Sequence, residues 1–273
     1  MKIKIKEALS LASKELKEFE RPRLEAEILL SHYLNCDRVW LHLRADEEIE
    51  NFDGFWKLIR RRANFEPIEY ITNRVSFYSE EFFIQKGALI PRPETELLVD
   101  KALELIEKFN IKRVAEIGVG SGVVSIILAK KNPNLKIIAT DISKDALEIA
   151  KKNIAKKGVG NQIELIETSL LDGVEGEVEL IVSNPPYISE DAKLEPNVVD
   201  FEPKEALFAK ESGTKLLKEI VELGIKKRVK GVVCEMGYDQ KKYMESFFYS
   251  LGVREFNFYQ DLASLDRGFW IKF

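Results

Sequence analysis

A chain of 273 residues is too long for one small core and predicts two domains of unequal size. Its 45% of hydrophobic and 32% of charged residues are typical of globular proteins, which excludes a mainly disordered chain. The formal net charge of −4 argues against a protein that mainly grips phosphate backbones, so we expect no direct nucleic-acid partner.

The first residues, MKIKIKEALS, are charged and contain no long apolar run, so we predict no signal peptide and a cytoplasmic location. No segment approaches the roughly 18 apolar residues that a membrane span needs, and we expect no membrane partner. The two histidines, His32 and His42, lie in helix-like sequence without the spacing of metal ligands. We therefore predict structural roles for them and no metal site.

Residues 1–74 are predicted to form a helical domain. Apolar residues recur at helical spacing from Leu9 to Phe19 and again from Leu24 to Leu34. A third helical segment, from Phe52 to Phe65, carries the basic run Arg60–Arg62. That run is either a solvated helix face or a contact with an acidic or RNA-bound partner.

The pattern changes at residues 75–90, where clustered aromatic residues predict a short β-hairpin that links the helical domain to the rest of the chain, residues 91–273. The segment that follows, IPRPETELLVDKALELIEKF, has helical spacing. Pro93 is suited to the start of this helix and Thr95 to its cap.

From residue 113 onward, strand-like and helix-like segments alternate. One helix has clear ends, with Ser143 as its predicted N-cap and Gly158 as its stop. Apolar strands separated by helices predict an α/β fold, a mostly parallel sheet covered on both faces. Two final strands with no helix between them predict an antiparallel hairpin at one edge. The predicted strands are 113–118, 136–141, 163–168, 178–184, 231–237, 255–261 and 267–273.

A glycine-rich loop, EIGVGSGVVSI (116–126), joins the first of these strands to a helix. Gly118, Gly120 and Gly122 allow a tight turn and a close approach of a ligand to backbone N–H groups. Asp141 ends the second strand, about as far along the chain as an acid that binds ribose hydroxyls. Together these features predict a site for a nucleoside-type cofactor. The alternative is a loop whose glycines only satisfy turns.

Glu116 discriminates between two such cofactors. A nicotinamide dinucleotide carries a pyrophosphate, which a carboxylate beside the glycines would repel. S-adenosylmethionine has no phosphate, and its amino-acid end carries an ammonium group that Glu116 is well placed to bind. The sequence therefore favours S-adenosylmethionine.

The stretch IVSNPPYISE (181–190) ends an apolar strand at Asn184 and continues with two prolines and Tyr187. Pro185 and Pro186 donate no backbone hydrogen bond but keep their carbonyl acceptors. The segment is therefore stiff and rich in acceptors. We predict that it holds a planar NH2 group, with the hydrogens on the Asn184 side-chain oxygen and the Pro185 carbonyl and the face against Tyr187. The alternative is a proline-rich turn after a strand.

Asn184-Pro185-Pro186-Tyr187 resembles the N-P-P-Y motif of class I methyltransferases that act on exocyclic or amide nitrogens. From about residue 64 to its end, the chain is similar to the peptide chain release factor glutamine methyltransferases, the HemK/PrmC family, and the helical domain fits that family too. The segments that carry this resemblance are IPRPETE (90–96), EIGVGSG (116–122), TDIS (140–143), IVSNPPYIS (181–189) and EPKEAL (202–207).

The resemblance implies a Rossmann-like class I methyltransferase sheet with a small N-terminal helical domain. It also implies transfer of a methyl group from S-adenosylmethionine to the side-chain nitrogen, N5, of the glutamine in the Gly-Gly-Gln loop of release factors, the proteins of translation termination. We also hypothesise that residues 1–74, a helical domain with the Arg60–Arg62 run and no chemistry of its own, recognise the release factor away from that glutamine.

Carried over residue by residue, the resemblance implies a cofactor site and a substrate site. The cofactor site would take in Glu116, Gly118, Val119, Gly120, Ser121, Gly122, Asp141, Leu170 and Asn184. The substrate site would take in Asn184, Pro185, Pro186 and Tyr187, with Arg92, Glu94 and Glu96 along the cleft. Asn184, Pro185 and Tyr187 would be the catalytic residues among these, and no general base is assigned.

Three positions depart from the family pattern. Glu116 stands where Asp is usual, Ser169 stands where an acidic residue often contacts the adenine, and residues 209–217 replace a more glycine-rich stretch.

Three other functions are compatible with parts of this pattern. An adenine-N6 nucleic-acid methyltransferase would present a similar NH2 group, but it needs a large basic recognition domain. A nicotinamide-dependent dehydrogenase is disfavoured by Glu116. A non-catalytic helical adaptor would use residues 1–74 and leave the sheet without a function.

Overall fold

The computed structural model describes residues 2–189, 191–192, 196–209 and 213–273. Residue 190 of the stretch 181–190 and residues 210–212 of the segment 209–217 lie outside these described residues. The helices are α1 (Ile5–Glu15), α2 (Pro22–Leu34), α3 (Arg38–Leu43), α4 (Phe52–Ala63), α5 (Ile68–Thr72), α6 (Thr95–Lys108), α7 (Val123–Lys131), α8 (Lys144–Lys157), α9 (Pro196–Val199), α10 (Lys215–Lys227) and α11 (Lys241–Ser250). The strands are β1 (Ile3–Lys4), β2 (Glu48–Ile49), β3 (Val75–Phe77), β4 (Glu80–Phe82), β5 (Arg113–Ile117), β6 (Lys136–Asp141), β7 (Ile163–Glu167), β8 (Leu180–Ser183), β9 (Ile188–Ser189), β10 (Phe208–Ala209), β11 (Gly231–Glu235), β12 (Glu255–Gln260) and β13 (Asp266–Lys272).

The chain divides into two units, and residues 2–74 with 196–201 form the first. Helices α1, α2 and α4 pack on one another there, around a core that contains Leu9, Leu29 and Phe55. The helical prediction for this part of the chain is confirmed. The sequence did not reveal the antiparallel pair β1–β2, because strands of two residues are too short to show an alternating pattern.

Arg62 corrects the interpretation of the basic run in α4. Its side chain is buried, and its guanidinium makes a bidentate ion pair with Glu25 and donates to the Glu66 carbonyl over 3.0 Å. It also stacks on Phe19, with Cζ 3.8 Å from the ring centroid. Arg62 is therefore a structural residue, and its side chain is exposed neither to solvent nor to a binding partner. Arg60, in contrast, is exposed.

The second unit, residues 75–189, 191–192, 202–209 and 213–273, is built on a seven-stranded sheet in the order β12-β13-β11-β8-β5-β6-β7. Strands β11, β8, β5, β6 and β7 pair in parallel, and β13 runs antiparallel to both β11 and β12. The mostly parallel sheet with an antiparallel hairpin at one edge is confirmed. It follows from apolar strands separated by helices, which must be covered on both faces.

Most predicted ends of these elements agree with the structure to within one or two residues, the usual uncertainty of frayed ends. Ser143 caps α8 by accepting the N–H of Ala146, and Gly158 ends that helix in the left-handed region. The predicted hairpin is formed by β3 and β4, with Val75 opposite Phe82. The role of this hairpin as a linker between domains stays a prediction.

None of the helices in the described part of the chain is long and apolar enough to cross a lipid bilayer. Within the described ranges, no group of three or more His, Cys, Asp and Glu side chains could hold a metal ion.

Candidate active site

The five parallel strands of the central sheet end at one edge, β5 at Ile117, β6 at Asp141, β7 at Glu167, β8 at Ser183 and β11 at Glu235. Strand β5 pairs with β6 on one side and with β8 on the other, so that Ile117 lies opposite both Thr140 and Ser183. The chain leaves β5 toward β6 and β7 and later returns to its other side with β8. The edge above β5 is therefore the topological switch point, where open α/β sheets bind ligands.

The glycine loop turns back over this edge. The backbone N–H of Gly118 donates to the Thr140 carbonyl over 2.8 Å, and Gly118, Gly120 and Gly122 all have positive φ, between +54° and +84°. At Gly122 packing adds a second reason, because a Cβ there would lie 3.2 Å from the Ala150 Cβ of α8. Glycine thus allows α7 to begin in close contact with α8.

Asp141 holds the loop from the neighbouring strand. Its Oδ2 accepts the N–H of Gly120 and its Oδ1 accepts the N–H of Ser143, both over 2.9 Å. Burial raises the pKa of Asp141, against the opposing effect of these N–H groups. Each carboxylate oxygen has a second acceptor site, so Asp141 can bind a pair of hydroxyl groups while it positions the loop.

Glu116 is a buried acid at the end of β5, only 3% exposed. Its Oε2 accepts the Ser125 N–H over 2.9 Å and also the Ser125 hydroxyl, whereas Oε1 makes no hydrogen bond within the described part of the chain. Burial raises the pKa of Glu116 to about 8, and the nearby charge of Asp141 adds to the rise. A carboxyl group in this state becomes a carboxylate most readily when a cation approaches it.

The segment after β8 is fixed by three hydrogen bonds, two donated by its side chains and one accepted by its backbone. Asn184 Nδ2 donates to Thr95 Oγ1 over 3.1 Å, and Tyr187 Oη donates to Glu235 Oε1 over 2.9 Å. Gln240 Nε2 donates to the Tyr187 carbonyl, also over 2.9 Å. Because the NH2 group of Asn184 is committed to Thr95, the side-chain oxygen of Asn184 is the part left to accept a hydrogen bond.

A cavity of about 270 Å³ lies at this edge of the sheet. It brings together most of the residues that the sequence predicted for the cofactor. The predicted residues on its wall are Glu116, Gly118, Val119, Gly120, Ser121, Asp141, Leu170, Asn184 and Pro186, and Ser169 lines it as well. Among the described residues, Gly122, Pro185, Tyr187, Arg92, Glu94 and Glu96 are not part of this wall.

Arg92 and Glu94 make contacts that the sequence did not reveal. Arg92 pairs with Glu202, a residue only 4% exposed, and the other oxygen of Glu202 accepts the Ile90 N–H over 3.0 Å. Glu94 lies 3.8 Å from the guanidinium of Arg267. Arg92 therefore secures the segment that leads into α6, and any role of Arg92 or Glu94 toward a substrate stays a prediction.

Thr95 corrects a prediction, since it does not cap α6. The helix begins at Thr95 itself, its N-cap is Glu94, and no side chain accepts a cap hydrogen bond. The hydroxyl is used by Asn184 instead. Glu235 was also missed, although its place at the end of a strand is a signal of the same kind as that of Asp141. The sequence carries no signal for Ser125, because its contact with Glu116 depends on which face of α7 points toward β5.

Two family models match the chain. The model of the PrmC N-terminal domain matches residues 7–72, and that of the methyltransferase small domain matches residues 94–237.

Curated relatives are similar over most of the chain. The release factor glutamine methyltransferase of Clostridium acetobutylicum is 34% identical over 276 residues, which cover 97% of each chain. That of Koribacter versatilis is 39% identical over 228 residues, 79% of each chain. The bifunctional methyltransferase of Rickettsia typhi is 35% identical over 295 residues, 98% of this chain, but the match spans only 57% of that longer relative.

Solved structures share the fold over about 70% of the chain. The hMettl16 catalytic domain, solved in complex with the MAT2A 3'UTR hairpin 6, superimposes with a TM-score of 0.58 at 17% identity, over 70% of this chain and 75% of that one. Human methyltransferase 10 domain containing protein gives a TM-score of 0.54 at 18% identity, over 72% of this chain and 89% of that one. At such identities the likeness concerns the fold alone.

The parallel sheet with its antiparallel edge, the cavity at the switch point and the match to the methyltransferase small domain define a class I methyltransferase. Within this class, relatives that are more than 30% identical and whose match covers almost the whole of both chains are release factor glutamine methyltransferases. The chain belongs to the family of release factor glutamine methyltransferases.

Proposed function

We propose that this protein, acting in the cytoplasm, transfers a methyl group from S-adenosylmethionine to the side-chain nitrogen N5 of the glutamine in the Gly-Gly-Gln loop of peptide chain release factors. One observation carries the proposal: the Asn184 amide is turned by Thr95 so that its oxygen is left to accept from an NH2 group at the cavity wall. The named relatives support the choice of a glutamine side chain as the group that carries this NH2.

The cavity residues fit S-adenosylmethionine. The Glu116 carboxyl, with an oxygen that no described residue uses, suits the ammonium group, and Asp141 suits the two ribose hydroxyls. Gly118 and Gly120 carry no side chain that would fill the space beside the loop. A dinucleotide fits less well, because its pyrophosphate would approach the carboxyl groups of Glu116 and Asp141.

S-adenosylmethionine, when bound, supplies an electrophilic methyl group on a sulfonium. The task of the chain is to orient a poor nucleophile, since the lone pair of an amide nitrogen is delocalised into its carbonyl. Asn184 Oδ1 and the Pro185 carbonyl would accept the two N–H groups, and Tyr187 would pack on the face of the amide. These hydrogen bonds strengthen as the nitrogen becomes positive, so they stabilise the transition state more than the ground state. The nitrogen loses its proton after the methyl group has moved.

Orientation of this kind can account for roughly 7–11 kcal/mol of the barrier. No strong base is needed. The raised pKa values of the acidic groups nearest the motif agree with this. Tyr187 keeps its proton, because burial and Glu235 raise its pKa. Burial likewise raises the pKa of Glu235, to about 7.

The proposal is tested by methyl transfer from labelled cofactor to an intact release factor. The controls are a release factor whose loop glutamine is replaced by alanine and adenine-containing DNA. We expect label in the intact release factor alone. Label in DNA would favour the adenine-N6 alternative. Calorimetry separates the dehydrogenase alternative, since S-adenosylhomocysteine and not NAD should bind.

Asp141→Asn is expected to weaken the binding of S-adenosylhomocysteine by about 1.5–3 kcal/mol, because hydrogen bonds from the ribose to a carboxylate are stronger than those to a neutral amide. Calorimetry measures the change. Glu148→Gln, which removes the same charge from an exposed position on α8, is the matched control and should bind as the parent does. Equal affinities of the Asp141 variant and the parent would show that Asp141 does not hold the ribose.

The raised pKa of Glu116 predicts a pH-dependent affinity. Below pH 8 the carboxyl group of the free protein is mostly protonated, and an ammonium ligand needs the carboxylate. Binding of S-adenosylhomocysteine should therefore release a proton, and affinity should rise with pH between 6 and 7.5, approaching about tenfold per unit. Titration in buffers of different ionisation enthalpy counts the protons.

Glu116→Gln is the control for this effect. It should remove most of the proton release and flatten the pH dependence, although Asp141, whose pKa is also raised, can leave a remainder. The same shift has a consequence for folding. Since the folded-state pKa of Glu116 lies above its ordinary value of 4.5, its contribution to stability is complete at low pH and is lost as the pH rises toward 8. Affinity that stays constant from pH 6 to 7.5 would contradict the assignment of Glu116.

A further inference from the structure

Two buried residues, Thr95 and Glu235, contact the residues that would hold the glutamine. Thr95 is 3% exposed and Glu235 is 2% exposed, and neither is a residue that the sequence placed at the substrate. Each contacts a different member of the motif: Thr95 accepts from the side chain of Asn184 and Glu235 from the hydroxyl of Tyr187. They come from α6 and β11, segments far from the motif in sequence.

The buried carboxyl group of Glu235 lies beside these contacts. Burial raises its pKa, and the hydrogen bond from the Tyr187 hydroxyl opposes that rise. Its second oxygen, Oε2, has no hydrogen-bond partner among the described residues. The hydroxyl oxygen of Thr95 accepts the NH2 group of Asn184, and this acceptor is what fixes the orientation of the amide.

The acceptor at Thr95 matters because the side-chain amide of an asparagine can rotate by half a turn. A rotation of half a turn exchanges its oxygen and its NH2 group with almost no change in shape. In one orientation Asn184 offers an acceptor to a substrate NH2, and in the other it offers a donor, which would repel that group. An acceptor at Thr95 favours the first orientation.

We propose that Thr95 and Glu235 are positioning residues, which together orient the Asn184 amide and the Tyr187 ring for the substrate nitrogen. The proposal rests on the function proposed above. Thr95 sets which end of the amide faces the substrate, and Glu235 anchors the Tyr187 hydroxyl. Thr95 lies on the wall of the cavity, and Glu235 does not.

The test is a double-mutant cycle on methyl transfer to a release factor. Thr95→Val keeps the shape of the side chain but removes its acceptor, so kcat should fall about 10–100-fold, as when a positioning group is lost. Binding of S-adenosylhomocysteine should stay at the parental level. Thr95→Ser restores the hydroxyl and should recover most of the rate.

The second arm of the cycle uses Asn184→Asp, whose two oxygens are equivalent, so that orientation no longer matters. In this background Thr95→Val should lower kcat less than about threefold, even though the starting rate is lower. A general packing defect would cost the same in both backgrounds. Thr72→Val, another buried threonine whose hydroxyl bonds to a backbone carbonyl, is the control and should keep the parental kcat.

Glu235→Gln covers the case in which the Thr95 variant does not fold, as judged by its melting temperature. Its side chain can present an NH2 group to the Tyr187 hydroxyl in place of the acceptor, so the ring loses its anchor and kcat should again fall while cofactor affinity is kept. The proposal is overturned if Thr95→Val or Glu235→Gln folds and transfers methyl at the parental rate, or if the Thr95 effect is equal in both Asn184 backgrounds. A parent enzyme that leaves the glutamine unmodified would overturn the proposed function instead.

Discussion

Asn184→Ala is expected to lower kcat for methylation of the release-factor glutamine by about 10²–10³, the usual cost of one preorganised partner in a water-excluded site. The substitution removes the side-chain oxygen that Thr95 leaves available at the cavity wall. Cofactor affinity should change much less, because Glu116 and Asp141 stay in place. Single-turnover kinetics give the rate, and calorimetry with S-adenosylhomocysteine gives the affinity.

Two further variants sharpen this result. Asn184→Asp keeps an acceptor and should retain more activity than the alanine variant. Asn161→Ala, at an exposed asparagine, is the matched control and should match the parent. An Asn184→Ala enzyme that works at the parental rate would show that the segment after β8 does not hold the glutamine.

Arg62→Glu is expected to lower the free energy of unfolding of the first unit by about 3–5 kcal/mol, as when one partner of a buried ion pair is lost. The variant would place a second carboxylate beside Glu25 and remove the contact with Phe19. Trp40 and Trp56 lie in this unit, so fluorescence during urea denaturation follows it.

Arg60→Glu makes the same charge reversal two residues away on an exposed side chain, and it should change stability by no more than about 0.5 kcal/mol. It also tests whether the basic run recognises a release factor, since in that case KM for the whole factor should rise while cofactor affinity stays constant. Equal stabilities of the Arg62 and Arg60 variants would contradict the structural role of Arg62.

The order of strands and helices in the second unit could be predicted because each signal is local. The ends of α8 are marked by Ser143 and Gly158, and the glycine loop and Asp141 follow their strands directly. The rule that parallel strands end at one edge was enough to bring Asp141 and Asn184 to the same cavity.

Contacts between distant segments could not be predicted in this way. The bond from Tyr187 to Glu235 needs β8 and β11 as neighbours, and that of Asn184 to Thr95 needs the placement of α6. Thr95 carries a sequence signal for a helix cap, and tertiary packing gave its hydroxyl another partner. Arg62 likewise has the composition of a surface residue, and only the positions of Glu25 and Phe19 bury it.

The central claim is that the protein methylates one glutamine side chain, and mass spectrometry of a release factor after incubation with enzyme and labelled S-adenosylmethionine tests it most directly. Fragmentation of the loop peptide assigns the label to a residue. The account predicts a single methyl group on the side-chain nitrogen of the Gly-Gly-Gln glutamine, and none when the Asn184→Ala enzyme is used for the same short time. An unmodified loop glutamine, with label on another residue or on adenine-containing DNA, would contradict it.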